Sequence, residues 1–150
     1  MAIVWREQMS VGHPVIDADH KALIDILNTF ENLTQNGAAF IALDQTFREL
    51  AEYTKIHFAR EEALQQEMGY PLCQTHQEKH RALVARLLAA YKRFKQTREK
   101  MEAQGIDCDH HSYADLLSIL NTWLLEHILQ EDMKLKPHIQ RHLEGRALVG

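Results

Sequence analysis

A chain of 150 residues that is 45% hydrophobic and 25% charged, with only six Gly and three Pro, is expected to form one Gly/Pro-poor domain with a full core and no second functional unit. Its formal net charge is -4, with Lys and Arg scattered among acids, which argues against a nucleic-acid or membrane partner. No leader pattern opens the chain and no uncharged apolar run reaches the roughly 18 residues of a membrane span, so a soluble, cytoplasmic protein is expected.

After an irregular arm over about residues 1–16, Leu23, Ile26, Leu27, Phe30 and Leu33 recur at helical spacing from Asp17 onward, and Gly37 supplies a left-handed stop. A second helix runs from about Ala39 or Asp44 to Met68, with Gly69 as its stop. Pro71 suits the first turn of a third helix, because the N–H it lacks would have no partner there. That helix carries His76, His80, Leu83, Leu87 and Phe94 and fades before Gly105. Ser112 and Asp115 resemble a capping box opening a fourth helix, which Pro137 interrupts; residues 137–150 form either a short extra helix or a frayed tail. No stretch alternates long enough for a strand. The expected fold is all-α: an antiparallel, up-down-up-down four-helix bundle over about residues 17–136.

Histidine is the compositional outlier, with ten in the chain. His57 and Glu61 are four apart, as are His76 and His80, so each pair projects from one helix face and can chelate. His20 lies one turn into the first helix and His127 sits among Trp123, Leu124 and Ile128 on the fourth. All four helices therefore offer imidazole to the core. Any one such ring is ordinarily a hydrogen-bonded core residue, but burying several unpaired rings and a Glu costs a few kcal/mol each, and a shared metal removes that cost. Asp132 follows His127 by five residues, about 140° around a regular helix, so only a π-bulge or an unwound helix end turns it inward.

The ordered set His20, His57-x-x-x-Glu61, His76-x-x-x-His80 and His127-x-x-x-x-Asp132, with "VGHPVIDADHK", "HFAREE" and "MGYP" around it, resembles the ligand signature of the hemerythrins, specifically their single-domain bacterial form. The resemblance implies two non-haem irons, one held by His76, His80 and His127 and the other by His20 and His57, bridged by Glu61, Asp132 and an oxo or hydroxo group. It implies one open iron position for dioxygen, hence reversible oxygen binding for transport, storage or delivery and no catalytic residue.

Imidazoles outnumber carboxylates five to two, unlike the carboxylate-rich set of ferritin-like di-iron enzymes. The rival readings are a di-iron enzyme reducing peroxide or nitric oxide, oxygen or redox sensing, and iron handling. The ligand types alone also suit zinc, manganese or copper, although a structural zinc site closes with four ligands. Ile24, Leu27, Phe58, Trp123 and Leu124 are the candidates for excluding water. A monomer is expected, with an oxygen-consuming protein as a conceivable partner.

Several residues are left outside the site. Cys108, His110 and His111 read better as a polar loop than as an accessory metal site, and His138 and His142 as a solvated tail. Glu62 is expected to face solvent, His13 has no assigned part, and Cys73 and Cys108 read as plain thiols outside any CxxC motif. The resemblance places Trp5 in an aromatic arm against the bundle near the iron pair, with a simple hydrophobic anchor for the arm as the equal alternative.

Overall fold

Each sequence stop becomes a helix end. In the computed structural model, which describes residues 2–106 and 110–149, α1 spans Pro14–Gln35, α2 Phe40–Met68, α3 Cys73–Ala103, α4 Ala114–Glu126 and α5 Lys136–Val149. Gly37, Gly69 and Gly105 all have positive φ just past α1, α2 and α3. At Gly69, φ 64° and ψ 38° close α2, while the Tyr70 N–H reaches back to the Gln65 carbonyl. A side chain in that conformation meets its own carbonyl, which is why glycine holds the position.

Three boundaries differ from the sequence reading. Helix α1 starts earlier than Asp17, with Pro14 as its first residue and the His13 Nδ1 accepting from the Ile16 N–H as an N-cap, so the arm is shorter than expected. Pro71 lies in the turn before α3, where Leu72 is the N-cap, instead of in the first helical turn. The fourth helix does not start from Ser112: Tyr113 is the N-cap of α4, after a 3-10 turn at His110–Tyr113, and its own side chain makes no cap bond.

Helix α1 packs on α2 and α4, and α3 packs on α2 and α4, giving the four-helix arrangement of an antiparallel bundle. No strand occurs among the described residues. The end of the bundle away from the histidines is aromatic. Phe30 meets Phe47 and Phe94 edge-on at 5.6 Å, Phe47 stacks on Phe94 at 5.4 Å, and Tyr113 and Phe40 close over Phe94. Such pairs contribute about 0.5–1.5 kcal/mol each beyond their burial, so this end is stabilised by its own packing.

The opposite end is sealed by a second core cluster of Val11, Ile16, Leu64, Tyr70, Leu135 and Ile139. The C-terminal segment thereby gains a role that its sequence left open. It is helix α5, with Pro137 in its first turn, and it packs against α2. His138 and His142 are half-buried on it, His138 beside Tyr70 and Arg141 and His142 facing Glu67, and so do not form a solvated tail.

The arm over residues 2–13 contributes Ile3 and Met9 to the main core, and Asn28 pins Ile3 by bonding both its N–H and its carbonyl. Trp5 packs on the same core with the Lys21 ammonium 5.0 Å above its ring. No helix among the described residues is long and apolar enough to cross a membrane.

Candidate metal centre

Antiparallel packing sets the site's level. His20 near the start of α1, His57 and Glu61 in the second half of α2, and His76 and His80 at the start of α3 meet at one height, facing the chain that leaves α4. There the helix changes its winding. His127–Glu131 forms a π-turn and Asp132–Leu135 a 3-10 turn, with the Asp132 N–H bonding back to the His127 carbonyl five residues before. The wider turn stacks Asp132 over His127 and aims its carboxylate inward. Of the two alternatives that the five-residue spacing left open, the π-turn is the one present.

All seven sequence candidates are buried, none more than 3% exposed. His20 Nε2 lies 2.7 Å from Asp132 Oδ2, His127 Nε2 2.9 Å from the same oxygen, and His57 Nε2 3.1 Å from Glu61 Oε2. His76 Nε2 is 2.6 Å from Glu61 Oε1 and 3.2 Å from Asp132 Oδ1, while His80 Nε2 is 3.3 Å from Glu61 Oε1.

The candidate ligand atoms form two overlapping groups, each within 4.8 Å. One comprises Glu61, His76, His80, His127 and Asp132, and the other His20, His57, Glu61 and Asp132. Despite their proximity, the Nε2 atoms of His57, His76, His80 and His127, Oε2 of Glu61 and Oδ1 of Asp132 lack hydrogen-bond geometry to any partner. Each buried, unsatisfied polar atom costs about 1–3 kcal/mol, and a cation between them would satisfy nearly all at once. The donor set fits a metal.

Two further carboxylates, absent from the sequence candidates, fix the rings from behind. Asp19, 1% exposed, takes the His57 Nδ1–H at 3.1 Å on one oxygen, and the Tyr53 hydroxyl at 2.8 Å and the Arg60 guanidinium at 2.5 Å on the other. Glu62 takes the His80 Nδ1–H at 2.9 Å and so does not simply face solvent. In both rings this leaves Nε2 turned toward the cluster.

The sequence signal for Asp19 is its place directly before His20. Glu62 is legible only once the angle between α2 and α3 is known. Gln65, one turn beyond Glu61, donates to its Oε1 at 3.3 Å, and Phe58 stacks on His80 at 3.8 Å with the rings nearly parallel.

Electrostatics follow from this crowding. Burial and the Asp132 charge push the Glu61 carboxyl up, but the close imidazoles of His57, His76 and His80 hold it well below the usual carboxylate range. Burial also opposes ionisation of Asp132, yet the charge of the close His127 ring, the His20 hydrogen bond and the nearby His57 ring keep it low. Burial lowers His76, but the Asp132 and Glu61 carboxylates beside it win and raise it to about 9.

The water-excluding candidates Ile24, Leu27, Phe58, Trp123 and Leu124 are all buried in the main core, and the Trp123 indole N–H bonds the Leu83 carbonyl. A pocket of about 200 Å³ lined by Lys79, Arg86, Glu126 and Glu131 reaches His127 from outside, its Lys79 and Glu131 paired at 2.6 Å. Cys73 begins α3, half-buried, and takes a long contact from Gln77. Cys108 lies outside the described residues, as do the side chains of His110 and His111.

An all-α bundle that converges five imidazoles and two carboxylates on one dry point is a cation-binding helical protein. Residues 11–139 match the family model described as the hemerythrin HHE cation binding domain, and the chain belongs to the hemerythrin family. It is 30% identical to a bacteriohemerythrin of Stenotrophomonas maltophilia across 97% of this chain and 86% of that one. A bacteriohemerythrin of Clostridium acetobutylicum is 29% identical, covering 86% of this chain and 95% of the relative. A crystal structure of a hemerythrin single-site mutant superposes with a TM-score of 0.71 at 22% identity, covering 92% of this chain and 98% of the other, and shares its fold.

Proposed function

We propose that the chain binds dioxygen reversibly at a pair of non-haem irons and serves to carry, store or deliver it, without catalytic turnover. The observation that carries this reading is the pair of overlapping ligand groups sharing Glu61 and Asp132. His76, His80 and His127 would hold one iron, His20 and His57 the other, and the two shared carboxylates would bridge them. The choice of iron rests on the family, since imidazole and carboxylate by themselves bind other divalent metals as well or better.

When bound, a ferrous pair supplies two electrons and an open coordination position for dioxygen. The chain's own residues set the conditions. The two-histidine group contributes one protein ligand fewer than the three-histidine group, which makes it the side left open. Glu61 and Asp132, with acids at or below their usual range, present anionic oxygens to both metals. Five imidazoles keep the remaining ligands neutral and limit the negative charge that would favour more oxidised iron. Leu27, Trp123, Leu124 and Ile128, none more than 2% exposed, line a dry interior, where water and protons that would drive irreversible oxidation are scarce.

The test is anaerobic loading with ferrous iron, iron counted per chain, and visible absorption followed while oxygen is admitted and withdrawn. Two irons and an absorption band that appears with oxygen and fades on its removal are expected. Immediate oxidation that oxygen removal does not reverse would refute the carrier reading and favour an enzyme or an iron store.

A further inference from the structure

The network behind His57 reaches solvent. Asp19 is 1% exposed, yet its Oδ1 is shared by Tyr53 and by an Arg60 whose side chain is 49% exposed, while its Oδ2 faces His57 Nδ1. A buried carboxylate is retained only when its charge is matched, and Arg60 matches it from the surface side. The result is a short line of charge from the protein surface, through Arg60 and Asp19, into the ring of His57. The corresponding ring of the other ligand group, His80, is held by Glu62, which is 30% exposed and, among the described residues, takes no bond from an arginine. The two groups are therefore supported unequally.

We propose that Asp19, clamped by Arg60 and Tyr53, is a positioning residue for the two-histidine side of the centre, fixing the His57 ring and setting how strongly it donates to its metal. This rests on the two-iron reading above. Asp19 touches no ligand group other than through His57 among the contacts described, so its influence falls on one of the two metals. Carboxylates behind metal-binding imidazoles typically change affinity by 10–100-fold when removed, because they fix the ring's tautomer and raise its basicity. Arg60 acts with the opposite sign. It draws the Asp19 charge toward itself, so removing it strengthens donation from His57, while neutralising Asp19 weakens it. More donation stabilises ferric iron and lowers the midpoint potential; less donation raises it.

The experiment uses the full chain loaded anaerobically with ferrous iron, comparing wild type, Asp19→Asn, Asp19→Glu, Arg60→Ala and, as a remote carboxylate control, Asp44→Asn. Iron retained per chain is counted across a series of chelator concentrations, and the midpoint potential is measured by spectroelectrochemistry. Asp19→Asn is expected to lose one iron of the two at chelator concentrations about 10–100-fold lower than wild type requires, with the second iron held. Asp19→Glu is expected to restore retention at least in part. The potential should move positive in Asp19→Asn, negative in Arg60→Ala and not at all in Asp44→Asn.

A purely structural role predicts loss of both irons together and potential shifts of one sign, and either finding would overturn the inference. Wild-type retention and potential in Asp19→Asn would overturn it as well. Should Asp19→Asn fail to fold, the sign of the Arg60→Ala shift decides alone, since Arg60 is half-exposed. A wild-type chain that takes up fewer than two irons would instead refute the two-iron reading, and the inference with it.

Discussion

Loading the metal-free protein with ferrous iron is expected to expel about two protons per chain near pH 7. Glu61 and Asp132 are fully buried and ionised, so the dry cluster carries two negative charges that require two positive ones. The histidines shifted upward, His57 and His76, are the expected source of them. Burial opposes the His57 imidazolium, but the nearby Asp132 and Glu61 carboxylates and the Asp19 hydrogen bond raise it well above its ordinary value, and His76 is raised to about 9. A ring that is to bind metal through Nε2 must give up the proton there. Moving one histidine from its ordinary value near 6.5 to about 9 corresponds to about 3 kcal/mol of charge stabilisation.

Because the folded value is raised, that stabilisation of the metal-free fold is complete below about 6.5 and is lost as pH rises through about 9. The metal-free protein should therefore melt lower at pH 9 than at pH 6.5, while the loaded protein should lack this dependence. With two protons exchanged, the overall constant for loading both metals should rise about a hundredfold per pH unit across neutrality. Calorimetric ferrous titrations in two buffers of different ionisation enthalpy count the protons directly. Uptake with no proton release, or a loading constant flat between about pH 6 and 8, would refute the charge pairing read from the structure.

His127→Ala and Glu61→Ala each remove a group from the centre, and Glu61 from both sides of it; neither variant should load two irons, as iron counting will show. Phe94→Ala empties the middle of the aromatic end and should cost about 3–5 kcal/mol, seen in chemical denaturation, while iron loading stays normal because the rings it packs on, Phe30, Phe40, Phe47, Tyr91 and Tyr113, include no candidate ligand. Gly69→Ala forces a side chain into φ 64° and should destabilise by about 1–2 kcal/mol, although the space around it is open, so a neutral result would contradict the strain argument.

Much of the bundle was legible without coordinates because each helix carries its own period and its own stop. Gly37, Gly69 and Gly105 marked three ends through a local property, the freedom to adopt positive φ. The pairs His57 with Glu61 and His76 with His80 were likewise local, since four residues of helix place two side chains on one face whatever surrounds them. Finer boundaries were less secure. Pro71 and Ser112 each had the right chemistry for a helix start, but the turn geometry of the packed chain put the starts at Cys73 and Ala114.

What the sequence determined by itself was the set of candidate residues and the period that turns them inward. What only the tertiary structure decided was how those residues face one another. Asp132 needed the π-turn, which forms where the end of α4 must meet three other helices around the buried cluster. Glu62, expected in solvent, found His80 because α3 crosses α2 at that height, and Asp19 found His57, Tyr53 and Arg60 across the α1–α2 interface. The C-terminal helix acquired its place as a seal over the metal end from contacts with Val11, Ile16 and Leu64, which are distant in sequence. Periodicity and glycine stops act within one helix and can be read along the chain. Ion pairing and sealing act between helices, and their partners are named only when the chain has folded.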